Sequence, residues 1–195
     1  MPITYEHEPP YSVGVLIGSL STESINRRLA TALMRLAPDQ FQFTEIEIGQ
    51  LPLYNRDFDV DYPPVARDFK RALADVDALL FVTPEYNRSL PGALKNAIDW
   101  ASRPFGDNAL SRKPSAVIGA SSGAIGTAVA QQQLRSILSF CDAPQMNAPE
   151  AYIQMKPGLI TDEGDVTVES TREFLETYLA RFLEFTTRVL TVLPR

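Results

Sequence analysis

Apolar runs and amphipathic stretches alternate along the chain in a regular order. YSVGVLIG (11–18) is a nearly continuous apolar run and predicts a strand, and Ser24 to Ala37 has helical spacing closed by Pro38. FQFTEIEI (41–48) alternates with period two, as a strand with one face covered does. Val65, Phe69, Leu73 and Ala74 then fall on one face of a helix from Tyr62 to Ala74. DALLFVT (77–83) is apolar almost throughout, which predicts a strand buried on both faces.

The same reading gives a helix from Ser89 to Ala101, the strand PSAVIGA (114–120), a helix from Ile125 to Phe140, a short strand at Pro144 to Met146, and a final helix from Val168 to Leu193. Five strand–helix units in series imply a three-layer, doubly wound α/β fold, because each right-handed crossover must lay its helix back on a parallel sheet. Ligands of such sheets sit beyond the carboxyl ends of the strands. Three loops are thereby brought together: 18–24, 83–89 and 120–125.

Composition narrows the chemistry. With 195 residues, 45% of them hydrophobic, the chain suits one sizeable core, so we expect a single domain over 11–195 behind a flexible tail, 1–10. A net charge of −6, with no basic run longer than Arg27-Arg28, argues against a nucleic-acid or acidic-membrane partner. The start lacks a cationic, apolar leader and no run of about 18 apolar residues follows, so a cytoplasmic location is expected. One cysteine, Cys141, excludes an intrachain disulfide and a thiolate-held metal cluster, and metal catalysis is not expected. His7, the single histidine, lies in the tail, which disfavours a hydrolase built on a serine such as Ser19.

The first loop, GSLSTESIN, follows strand one and opens a helix. Its hydroxyls surround the free N–H groups of a helix N-terminus, a natural anion site, although any of Ser21, Thr22 or Ser24 would also serve as an ordinary cap. It is neither a Walker A loop nor a GxGxxG turn. In the second, TPEYNRSLPG, polar groups crowd a proline-bracketed turn suited to a flat heteroaromatic ring. The third, GASSGAIG, has glycines at 119, 123 and 126, and Gly123 with Ser121 leaves room for a ligand to approach the backbone.

GSLSTESINRRLA, LPLYNRDF, PEYNRSLPGALKNAIDWASRP and ASSGAIG followed by QLRSIL resemble, in order and spacing over Val13 to Tyr152, the NADPH-dependent FMN reductase family, in particular its chromate and quinone reductase branch. The resemblance implies a flavodoxin-like sheet of order 2-1-3-4-5, non-covalent FMN, and NADPH or NADH as cosubstrate. It implies a hydride passing from nicotinamide to flavin N5, then electrons to a quinone, azo compound, chromate or free flavin, with a homodimer or homotetramer as the assembly. An FMN-binding electron carrier or redox sensor without efficient NAD(P)H turnover is the alternative.

Carried onto this chain, the phosphate-loop positions are Ser19, Ser24 and Asn26, with Ser21 and Ile25 beside them. The ring-lining positions are Pro84, Glu85, Tyr86 and Asn87 on one side, and Ser121, Ser122 and Gly123 on the other. Many members carry a basic residue where this chain has Ser21. No side chain is expected to act as a catalytic acid or base, since the flavin carries the chemistry. Glu85 is expected to act through its backbone N–H or to be solvated, and Trp100 to be core. Tyr54, Asn55 and Arg56 are expected to form a satisfied turn, with a place at the cleft rim as the alternative, and Asp162 to Asp165 a solvated one.

Overall fold

The computed structural model describes residues 8–193. His7, and with it most of the expected tail, lies outside them.

Five parallel strands form one sheet in the order β2-β1-β3-β4-β5: β1 (Tyr11–Ile17), β2 (Phe41–Glu45), β3 (Ala78–Val82), β4 (Ser115–Ser121) and β5 (Tyr152–Gln154). This is the flavodoxin-like order. Register runs Val13 opposite Phe43, Val15 opposite Leu80 and Phe81 opposite Val117. The helices are α1 (Ile25–Arg35), α2 (Pro64–Ala74), α3 (Gly92–Ala101), α4 (Ala128–Phe140) and α5 (Glu169–Val192), with a 3-10 turn at Arg56–Val60 before α2.

Alternation along the strands divides the core into two layers. Val13, Val15, Ile17, Leu80, Val82 and Ile118 face one side, where Leu29 and Leu33 of α1 and Leu175, Leu179 and Phe182 of α5 cover them. Leu16, Leu79, Phe81 and Val117 face the other, under Phe69 and Leu73 of α2, Leu94 and Trp100 of α3, and Leu134 and Leu138 of α4. Trp100 is fully buried, packs edge-on against Tyr54 and Tyr62, and donates its indole N–H to the Pro52 carbonyl at 2.7 Å.

Several boundaries differ from expectation: β2 ends at Glu45 rather than Ile48, α1 at Arg35 rather than Ala37, and α2 starts at Pro64 rather than Tyr62. The fifth strand is at Tyr152–Gln154 rather than Pro144–Met146, which contributes only an isolated bridge from Gln145 to Ser115. The helix expected from Ser89 begins at Gly92 because Tyr86 and Ser89 pair across a tight turn first. The helix expected from Ile125 begins at Ala128, since Gly126 sits at φ +63°, outside the helical region.

Candidate functional site

Beyond the carboxyl ends of β1, β3 and β4 lies a cleft of about 230 Å³, lined by Ser19, Ser21, Glu23, Ser24, Ile25, Asn26, Pro84, Glu85, Tyr86, Ala120, Ser121 and Ser122. Ten of the twelve residues expected from sequence are therefore together. Asn87 stands at the tip of its turn and Gly123 beyond Ser122, both outside the lining. Glu23 and Ala120 join it unforeseen. Each adjoins an expected residue, Glu23 before the cap serine and Ala120 before Ser121, and adjacency was the available signal.

The first wall is the start of α1. Ser24 is its N-cap, its Oγ accepting from Arg27 N at 3.2 Å, which leaves the hydroxyl proton free to donate toward the cleft. The leading N–H groups of α1 have no partner within the helix, and no acidic residue occupies its first turn. Ser19 and Ser24 are both buried. Arg27 and Arg28 turn away: Arg27 makes a two-bond pair with Glu45 at 2.7 and 2.8 Å, which raises its already high pKa, and Arg28 pairs with Asp162 at 2.8 Å. No basic side chain lines the cleft among the described residues.

Asn26, expected to contact the phosphate, also holds the fold together. Its Nδ2 donates to the Ala120 carbonyl at 2.9 Å and its Oδ1 accepts from Ala120 N at 2.8 Å, so the buried amide ties α1 to the end of β4. Its second amide hydrogen and its backbone N–H remain to serve the cleft.

The second wall is the PEYNRS loop. Tyr86 and Ser89 exchange two backbone bonds of 2.9 Å, with Asn87 at φ +51° and Arg88 at φ +61° between them. Positive φ at both central positions is the type I′ turn, whose second position favours glycine; Arg88 holds it under strain. Glu85 is not solvated, and it acts through its carboxylate rather than its own backbone N–H. Its carboxylate bonds Val129 N and Ala130 N at 3.0 and 3.1 Å, and its side chain is 8% exposed.

The third wall is the turn from β4 into α4. Ser121 Oγ accepts from Gly123 N at 3.1 Å. A Cβ on Gly123 would meet only that hydroxyl, at 3.6 Å, so the chain itself does not require glycine there. Gly119 is the opposite case: its Cβ would fall 2.1 Å from the Thr83 carbonyl and 2.3 Å from Thr127 Oγ1. Leu20, Tyr86 and Ile125, each about half exposed, give the three loops apolar side chains beside these polar groups.

The remaining candidates lie elsewhere. Tyr54 donates its hydroxyl to Asp59 at 2.8 Å and Asn55 caps the 3-10 turn, a satisfied turn as expected. Asp162 and Asp165 pair with Arg28 and Arg35. Cys141 is buried, and desolvation pushes its thiol pKa up, which keeps it protonated and unreactive.

The family model for NADPH-dependent FMN reductases matches residues 11–158. A 2-hydroxy-1,4-benzoquinone reductase of Burkholderia sp is 51% identical over 170 residues, covering 87% of this chain and 93% of that protein. A quinone reductase of Pseudomonas putida is 49% identical over 173 residues, 88% of this chain and 92% of its own. Among solved structures, the flavoenzyme NAD(P)H:(acceptor) oxidoreductase FerB of Paracoccus denitrificans superposes with a TM-score of 0.88 at 42% identity, covering 91% of this chain and 98% of that one.

Proposed function

Since the chain belongs to the NADPH-dependent FMN reductase family, we propose that the cleft at the strand ends is its FMN site and that the protein is an NAD(P)H-dependent FMN oxidoreductase reducing quinones. The observation that carries this is the donor set. A helix N-terminus whose first turn carries no acidic residue and the hydroxyls of Ser19, Ser21 and Ser24 suit a phosphate, with Glu23 the one carboxylate beside them, while Pro84, Tyr86 and the small residues Ala120, Ser121 and Ser122 suit a flat ring. The residues present fit FMN.

When bound, FMN supplies the redox chemistry, taking a hydride from NAD(P)H and delivering electrons to the quinone. The chain's own share is placement. The α1 N-terminus and its serines would hold the phosphate end, and the PEYN turn and the Ser121–Ser122 segment would hold the ring. Glu85 is engaged as a hydrogen-bond acceptor and is not a proton carrier. The open mouth of the cleft would admit nicotinamide and acceptor in turn. Azo compounds, chromate and free flavin are further acceptors of this kind.

The assembly is a homo-oligomer in this reading. Phe105 and Phe140, 94% and 90% exposed, border one apolar hollow at the carboxyl ends of α3 and α4, a surface that a second copy would cover. Light scattering of the purified protein checks this, and a monomer overturns it. Location in the cytoplasm, beside the nicotinamide pool, belongs to the same proposal.

The decisive experiment is the visible spectrum of the protein with FMN, followed by NADPH without oxygen and then 1,4-benzoquinone. Shifted flavin bands that bleach with NADPH and return with the quinone are expected. Bound flavin that fails to bleach with either nicotinamide would make the protein a carrier, and flavin that does not bind would remove the site.

A further inference from the structure

Helix α4 begins without a cap of its own. Its N-cap Thr127 makes no side-chain capping bond, and no acidic residue stands in the first turn. A helix start left this way has unsatisfied N–H groups and an uncompensated positive end. Glu85, more than forty residues earlier, fills the gap. Its Oε2 accepts from Val129 N and Ala130 N at 3.0 and 3.1 Å, and its Oε1 accepts from Arg88 Nη1 at 3.2 Å. Three of about four lone-pair sites on the carboxylate are thus in use.

A turn further along, α4 grips the other end of the same loop. Gln133 Nε2 donates to the Arg88 carbonyl at 3.0 Å, and the Ser89 hydroxyl donates to Gln133 Oε1 at 2.6 Å. The strained Asn87–Arg88 turn is therefore bolted to α4 on both sides. Because the 121–127 turn leads directly into α4, the start of α4 fixes the spacing between two walls of the cleft.

We propose that Glu85 is a positioning residue: by capping α4 in trans from the PEYN turn, it locks the two walls that face each other across the flavin ring. The consequence for the ligand rests on the FMN reading above, whereas the cap does not. Occupying the α4 N-terminus with a carboxylate also leaves the start of α1 as the phosphate's helix terminus.

The test compares wild type with Glu85→Ala and the isosteric Glu85→Gln, in amide exchange of the FMN-free protein and in FMN affinity by fluorescence quenching. Glu85→Ala should expose Val129 and Ala130 to faster exchange and weaken FMN by about tenfold, the scale of a lost charged cap. Glu85→Gln keeps a carbonyl acceptor and should hold exchange near wild type and affinity within about threefold. That rescue separates a cap from a role for the negative charge itself. Unchanged exchange at Val129 and Ala130 in Glu85→Ala overturns the proposal, as does Glu85→Gln binding FMN as poorly as Glu85→Ala. If wild type binds no FMN, the FMN reading fails and the exchange arm still decides the cap. Should Glu85→Ala not fold, Glu85→Gln alone decides, with lost exchange protection overturning it.

Discussion

Asn26 satisfies both backbone groups of Ala120 from a buried position, and its removal leaves a donor and an acceptor stranded at the end of β4. Asn26→Ala should cost about 2–3 kcal/mol, which for a chain of this size lowers the melting temperature by about 4–12 °C. Differential scanning calorimetry of the FMN-free protein checks it; a shift below 2 °C would mean that the amide bridge is not holding α1 to the sheet. Ser21 presents the opposite situation, a cleft position in a lining that holds no basic side chain among the described residues. Ser21→Arg should tighten FMN by about fivefold at low salt, from the roughly 1 kcal/mol of two charges about 4 Å apart in water. The gain should shrink as salt rises. Equal affinity at every ionic strength would place the phosphate away from Ser21. In the sequence, the order of elements brought the three loops together, and the family resemblance supplied the twelve residues, ten of which line the cleft. Neither revealed what Asn26 and Glu85 bond to, because those partners, Ala120 and Val129–Ala130, are supplied by distant segments.

At the level of elements, the strands with strong apolar runs were readable and the weak one was not. β5 has three residues, and Tyr152 and Gln154 are not buried, so no apolar run announces it. Pro144 to Met146, the segment expected as the fifth strand, makes only an isolated bridge beside Ser115 although Met146 is buried. Helix starts were read too early at α3 and α4, where periodicity runs on through a turn that backbone geometry forbids to a helix. Gly119 shows how close these elements come. β4 passes so near the end of β3 and the start of α4 that no side chain fits. Gly119→Ala should therefore destabilise by about 1–3 kcal/mol through overpacking and weaken FMN by shifting the Ser121 wall. Urea denaturation with FMN titration on the same samples checks both; wild-type values for each would mean that the loops have slack.

For the molecule as a whole, the sheet is shared by two core layers, and neighbouring residues such as Leu79 and Leu80 belong to opposite ones. Neither layer can dissolve while the strands between them persist. Trp100 reports only the α2–α3–α4 side, whereas far-ultraviolet circular dichroism reports all five helices. The two signals should give one coincident thermal transition. Tryptophan fluorescence changing well before helicity would show that the layers unfold separately.

The outward turn of Arg27 and Arg28 also sets a timescale. A phosphate held by hydroxyls and helix N–H groups alone is not pinned by a neutralising side chain, so each flavin should leave sooner than it would from a cationic cradle. Occupancy in a cell would then follow the free FMN pool, and an oxidoreductase of this kind would exchange its flavin with that pool instead of keeping one for life.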